Sequence, residues 1–173
     1  MLDKEDSLVF YDEAGVSLEP TLRSQWSLKG HQPQLPTKSL KKRVNLGGWI
    51  NPIEKTVAVR KTEKGDSENF LRVLREIESQ YRNKRRIMVV LDNAPWHKSN
   101  LVKEYLKKHF QIIFWYLPRY SPELNIQEIQ WRYLRQKSTH CHRFENEEEC
   151  WQSIKSHFEQ LTPERISSLC QYN

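Results

Sequence analysis

Three acids in this chain stand at the ends of apolar runs or at a helix start. Asp12 closes Leu8-Val9-Phe10-Tyr11, and Asp92 closes Val89-Val90-Leu91. Glu128 lies just beyond Ser121-Pro122, a pair that reads as N-cap and first helical residue. Carboxylates brought together from separate elements repel one another unless a cation neutralises them. Ligand sets made only of oxygen select hard ions, so Mg²⁺ or Mn²⁺ is the expected guest of Asp12, Asp92 and Glu128. Two such ions, about 3.5–4 Å apart, can activate an attacking oxygen and stabilise a leaving one in phosphoryl transfer. The bland alternative, that each acid is a cap or a surface charge, holds for most acids, but two of these three abut apolar runs.

Other candidates are weaker. Glu123 competes with Glu128 on the same predicted helix, yet a first-turn acid is sufficiently explained by the helix dipole. Glu13 adjoins Asp12, but neighbours in an extended strand face opposite sides. At about 100° per residue, Asn125, Glu128, Arg132 and Arg135 form one helical stripe, with Ile126, Ile129 and Tyr133 on another. His97 could orient a water or phosphate, or simply donate to a backbone carbonyl. No serine pairs with it as a nucleophile, so a Ser-His-Asp hydrolase gains no support. His140, Cys141, His142 and Cys150 include no Cys-x-x-Cys pair and offer poor tetrahedral geometry, so zinc is not expected.

The elements that must position the acids can be read from periodicity. Leu8 to Asp12 reads as a buried strand. From Ser17 to Arg43 periodicity is lost, and Pro20, Gly30, Pro33 and Pro36 mix with six basic residues, Arg23, Lys29, Lys38, Lys41, Lys42 and Arg43. A loop of that length inside a domain is usually functional or disordered. It is predicted to project towards a second copy or DNA. Val44 to Ile50 and Thr56 to Thr62 read as a hairpin, and Phe70, Leu71, Leu74, Ile77 and Tyr81 give a helix over Ser67 to Tyr81. Ile87 to Leu91 is a buried strand, followed by a helix over Ser99 to His109 and a strand over Gln111 to Leu117. A helix from Pro122 places Glu128 in its second turn. Asn146 to Leu161 and Pro163 to Cys170 close the chain as helices. This order predicts an α/β fold with a central mixed sheet flanked by helices.

Bulk properties set the context. The 173 residues suit a single domain. A formal net charge of +6 and a pI of about 9.2 favour a polyanionic partner without identifying it. Cys141, Cys150 and Cys170 are too few for a disulfide framework, which fits a reducing compartment. With no secretory signal or membrane-spanning run, a soluble cytoplasmic protein is expected. Lys84-Arg85-Arg86 precedes the strand that ends at Asp92, roughly 20 Å from that acid at about 3.3 Å per residue, so a solvated turn is its expected role.

Asp92-Asn93-Ala94 with His97, followed by Leu117-Pro118-x-Tyr120-Ser121-Pro122-x-Leu124-Asn125-x-x-Glu128-x-x-Trp131, resembles the mariner superfamily of DDE transposases, most closely its bacterial insertion-sequence branch. Asp12-Glu13, Trp26 and Gly30 are also similar, and the resemblance runs from about Leu8 to Phe158. It implies an RNase H-like fold with a five-stranded sheet and a metal site at Asp12, Asp92 and Glu128 holding two Mg²⁺ or Mn²⁺ ions. The implied reaction is cleavage at the ends of a mobile element, then attack of the freed 3′-hydroxyl on target DNA, usually at TA. Asn93, His97 and Asn125 are the expected supporting residues. Arg119, Arg132, Arg135, Lys41, Lys42 and Arg43 are the cations expected to meet double-stranded DNA.

The resemblance also implies an active homodimer, with the basic 17–43 segment reaching the partner, in the cytoplasm at the bacterial nucleoid. The Asp92 to Glu128 gap is one residue longer than usual, and Ile126-Gln127 replaces the common Pro-Ile. The N-terminal helix-turn-helix region that reads element ends is expected to be absent from this chain. Two rivals remain: a domesticated, non-catalytic DNA-binding or assembly module with the same fold, and a metal-dependent repair nuclease. The second lacks the Leu-Pro-x-Tyr-Ser-Pro signature, and three intact acids favour an enzyme over the first.

Overall fold

A computed structural model describes residues 3–20, 29–30, 42–140 and 142–171. Strands β1 (Asp6–Ser17), β2 (Arg43–Asn51) and β3 (Thr56–Thr62) form an antiparallel meander, and β4 (Arg86–Leu91) and β5 (Ile112–Tyr116) extend it in parallel. The sheet order is β3-β2-β1-β4-β5, the mixed five-stranded arrangement anticipated above. Helices α1 (Ser67–Gln80), α2 (Asn100–Lys108), α3 (Ile126–Leu134), α4 (Glu147–Glu159) and α5 (Pro163–Cys170) flank it.

Strand alternation divides the core in two. Val9 and Tyr11 of β1, with Ile87, Val89 and Leu91 of β4, pack against Phe70, Leu74 and Ile77 of α1 and Val102 of α2. On the other face, Val16, Val44 and Leu46 meet Trp131 and Leu134 of α3 and Ile154 and Phe158 of α4. Ile50 joins Ile126 of α3 and Ile166 of α5 beside them. Phe10 pairs with Val90 in the parallel β1–β4 register, so Asp12 and Asp92 come level two residues further on. Asp66 caps α1 by accepting the Asn69 N–H at 2.9 Å, and Asn146 caps α4 by accepting that of Glu149 at 2.9 Å.

Three expectations need correction. The first strand does not stop at Asp12; it pairs with β2 through Ser17↔Arg43. Leu18 is then buried among Val16, Val44 and Phe144, so the irregular segment begins later than Ser17. Residues 21–28 and 31–41, which include Arg23, Trp26, Lys38 and Lys41, lie outside the described residues, as does Cys141. The second correction concerns the helix start. Pro122–Leu124 is a separate 3₁₀ turn, and α3 begins only at Ile126 because Asn125 is extended (φ −93°, ψ 106°). Glu128 therefore sits in the first turn of α3. Glu123 belongs to the 3₁₀ turn, so no single helical wheel relates the two acids.

The buried face of α3 is Ile126, Gln127, Gln130, Trp131 and Leu134, in place of the Ile126, Ile129, Tyr133 face expected from hydropathy. Two glutamines are tucked under the helix, a placement that apolar periodicity cannot signal. After Leu134 the chain widens into a π turn over Arg135–Thr139.

Candidate active site

A cleft of about 620 Å³ opens at the C-terminal ends of β4 and β5, beside Asp12 in the middle of β1; ligands gather at such strand ends in open α/β sheets. Asp12, Asp92 and Glu128 all line it, with Asn93, Ala94, Lys98, Asn125 and the Leu117–Pro122 loop. The three acids come from β1, the turn after β4, and α3.

Each acid is held by a different device. Asp12 Oδ2 accepts the indole N–H of Trp131 at 3.1 Å. That indole lies over Gly48, which pairs with Asp12 across β1 and β2. A Cβ at Gly48 would come within 2.4 Å of the Trp131 ring, so only glycine lets α3 approach this closely. Asp92 Oδ1 accepts the Ala94 N–H at 2.9 Å, an Asx turn that ends β4. The same oxygen lies 3.0 Å from His97 Nδ1. It sits off the ring's N–H axis, since neither ring nitrogen of His97 has a well-formed hydrogen bond; we therefore describe an ion-pair contact. Glu128 is placed by Asn125, a buried residue whose side chain caps α3 at the Gln127 N–H (3.1 Å) and donates to the Tyr11 carbonyl (3.2 Å). One amide thus pins the Glu128 helix to the strand residue preceding Asp12.

The supporting asparagine Asn93 donates to the Leu117 carbonyl and accepts from Lys98 Nζ, both at 2.5 Å. It ties the ends of β4 and β5 together below the cleft. Lys98 also lies 4.5 Å over the Tyr116 ring.

The electrostatics favour a cation. Burial, then the negative charges of Glu128 and Asp92, push the Asp12 carboxyl up to about 7, against the opposing effect of its hydrogen bonds. Contact with His97 lowers Asp92 despite its partial burial. Burial pulls His97 down, but Asp92 and Glu13 together raise it above its usual value. A buried carboxylate that its neighbours oppose is the donor a hard divalent ion relieves. Among the described residues, no three His, Cys, Asp or Glu side chains are drawn close enough to grip an ion in this arrangement; the acids share one cleft without closing on a centre.

The expected DNA-facing cations are dispersed. Arg119 lines the cleft beside Tyr120, which is almost wholly exposed at a positive φ of 58°. Arg132 lies further along α3 and Arg135 opens the π turn after it, both outside the lining. Lys42 and Arg43 are exposed at the start of β2, with Arg43 beside Arg60, Lys61 and Arg72 in another depression. Lys84, Arg85 and Arg86 are paired to Glu54, Asp3 and Asp6 at the far end of the sheet.

Periodicity did not single out Gly48, Trp131 or Glu13 as supports of this site. A Gly-Gly pair inside a strand was the available signal for the first, since strand glycines often mark close approach of another group.

A mixed five-stranded sheet in the order β3-β2-β1-β4-β5, flanked by helices, is the architecture of the RNase H-like folds. Residues 7–150 match the family described as DDE superfamily endonuclease, and the chain belongs to it. It is 28% identical over 148 residues to the insertion element IS630 uncharacterized 39 kDa protein of Shigella sonnei, covering 85% of this chain and 42% of that protein. It is similar in fold to the Mos1 transposase paired-end complex with left transposon end (TM-score 0.74, 17% identity, 94% of this chain and 51% of that one). The Mos1 mariner paired end complex with Mn is similar too (TM-score 0.72, 19% identity, 94% and 51%). The chain spans about half the length of these relatives, or less.

Proposed function

We propose that this chain is the catalytic domain of an insertion-sequence transposase, which cuts DNA at element ends and joins the freed 3′-hydroxyl to target DNA. The observation that carries the reading is the single cleft into which β1, β4 and α3 deliver Asp12, Asp92 and Glu128. Membership of the DDE endonuclease family supports it, and so does likeness in fold to the Mos1 mariner paired end complex with Mn.

Asp12, Asp92 and Glu128 would hold two Mg²⁺ or Mn²⁺ ions, which supply charge neutralisation at the attacking and leaving oxygens. Asn125 and Trp131 orient Glu128 and Asp12, while Asn93 and Lys98 brace the loop carrying Arg119. Arg119, Arg132, Arg135 and the Lys41–Arg43 run are assigned to DNA phosphates. The partners would be double-stranded element ends and a TA target, engaged by a homodimer in the cytoplasm at the nucleoid, with residues 1–173 acting as one catalytic unit. Among the described residues no helix is long and apolar enough to cross a membrane.

The test is strand cleavage on the flanking inverted repeats by the full-length protein with Mg²⁺ or Mn²⁺. Cleavage by wild type and its loss in Glu128→Gln with folding intact are expected. Unimpaired cleavage by Glu128→Gln would remove this acid from the site.

A further inference from the structure

On the face of β1 opposite Asp12 lies an acid that the proposed chemistry does not use. Glu13 Oε1 accepts the Tyr11 hydroxyl at 2.8 Å, and the Trp96 indole N–H lies 3.1 Å from both of its oxygens. Its carboxylate is thereby fixed in orientation. His97 Nε2 stands 3.6 Å from Glu13 Oε1, and His97 Nδ1 stands 3.0 Å from Asp92 Oδ1. The imidazole is 2% exposed and is boxed by Phe70 at 4.3 Å, Tyr11 at 5.7 Å and Trp96 at 5.8 Å between ring centroids.

We propose that Glu13 is a positioning residue for the metal site, acting through His97 on Asp92. The inference rests on the reading of the acid cleft as that site. Asp92 is the most exposed of the three acids, just past the end of a strand with a side chain 56% exposed. Its Oδ1 is occupied by Ala94 and His97, which leaves Oδ2 for a ligand in the cleft. The aromatic box sets where His97 stands, and Glu13 supplies a fixed negative charge on its far side. A ring bridged between two carboxylates resists swinging away from either.

Apolar packing alone would not require an acid at position 13. Gly47, which pairs with Glu13, supports the same arrangement: a Cβ there would press on the Tyr11 hydroxyl at 3.1 Å. The two consecutive glycines of β2 thus make room for the holder of Asp12 on one face and the holder of Glu13 on the other.

Outer-shell partners of metal ligands typically change affinity by about 10–100-fold when removed. The experiment is Mn²⁺ titration by calorimetry on the full-length protein, alongside the Mn²⁺ dependence of cleavage and a thermal melt. Glu13→Gln keeps the shape and an acceptor for Tyr11 but loses the charge. It should weaken Mn²⁺ binding about 10-fold and raise the half-saturating Mn²⁺ for cleavage by the same factor, with the maximal rate recovered at saturation. His97→Gln should weaken binding at least as much, and the double variant no more than His97→Gln alone, because Glu13 acts through the ring.

Unchanged Mn²⁺ affinity in Glu13→Gln, with wild type binding normally, overturns the inference while leaving the metal site standing. Wild type that binds no Mn²⁺ overturns both. If Glu13→Gln is too unstable to titrate, His97→Gln alone decides, and unchanged affinity there is equally fatal.

Discussion

Two acids on one face of β1, six residues apart, are treated by the fold in opposite ways. Asp6, buried at the N-terminal end, receives Arg86 through Nε at 3.0 Å and Nη2 at 2.5 Å, with Arg85 Nη2 at 3.3 Å. Arg86, aided by the Asp3 backbone, holds its carboxyl far below the usual range. Asp12, on the same face midway along the strand and just past its pairing with β4, has an indole N–H and two more acids for company, and is pushed up to about 7. An acid neutralised by its own chain is scaffold. One left among like charges is relieved by a proton or by a cation from outside.

The largest effect expected from breaking this contrast is at the cleft. Asp92→Asn should reduce strand cleavage to background while the melting temperature stays within a few degrees of wild type. Glu123→Gln, at an exposed 3₁₀ turn outside the cleft lining, should keep most activity. The reverse pattern would show that the wrong acids have been assigned.

Asp12 and Asp6 should respond to pH with opposite signs. Because the folded protein raises Asp12, it holds that proton between the ordinary carboxylate range and about pH 7, where the unfolded chain has released it. Metal-free wild type therefore loses stability as the pH rises through that window. Asp12→Asn removes the loss. Its melting temperature should exceed that of wild type by about 3–8 °C at pH 8 and match it near pH 4. Added Mn²⁺ should raise wild type alone; a metal-free variant no more stable than wild type at pH 8 would contradict the repulsion.

Gly48→Ala tests the packing behind Asp12. Its Cβ would lie 2.4 Å from Trp131 Cη2 and 2.7 Å from Gln127 Nε2. Overpacking of this kind costs about 1–3 kcal/mol, readable in denaturant melts, and should displace the indole from Asp12.

Asp6→Asn completes the mirror. A depressed carboxyl stabilises above its unfolded pKa and loses that contribution as the pH falls through the folded value. The variant should melt lower than wild type at pH 7, and the deficit should close in strong acid. An unchanged melt at pH 7 would mean that Arg85 and Arg86 lose nothing by being left to solvent.

Much of the fold was legible because its signals are local. Strand and helix periods placed β2 to β5, α1, α2, α4 and α5 close to where they stand, and Asp66 and Asn146 cap their helices through side chains two or three bonds long. Asp12 and Asp92 stood out for the same reason, as charges that end apolar runs, while two linked motifs carried Asp92 and Glu128. The break at Asn125 was not. A Ser-Pro start continues into an unbroken helix on propensity alone, whereas an extended Asn125 caps α3 at the Gln127 N–H and donates to the Tyr11 carbonyl on another element.

What the linear pattern determined was which elements form and which charges stand at their ends. Tertiary structure alone decided what each charge meets: Arg86 for Asp6, Trp131 for Asp12, His97 for Asp92 and, beyond it, Glu13. It also decided that Gln127 and Gln130 lie fully buried, their amides unpartnered among the described residues, for which no physical account emerges. Periodicity records the face a residue occupies. The residue opposite comes from another element, 84 positions away in the case of Glu13 and His97 if counted along the chain, and only the closed sheet brings the two together.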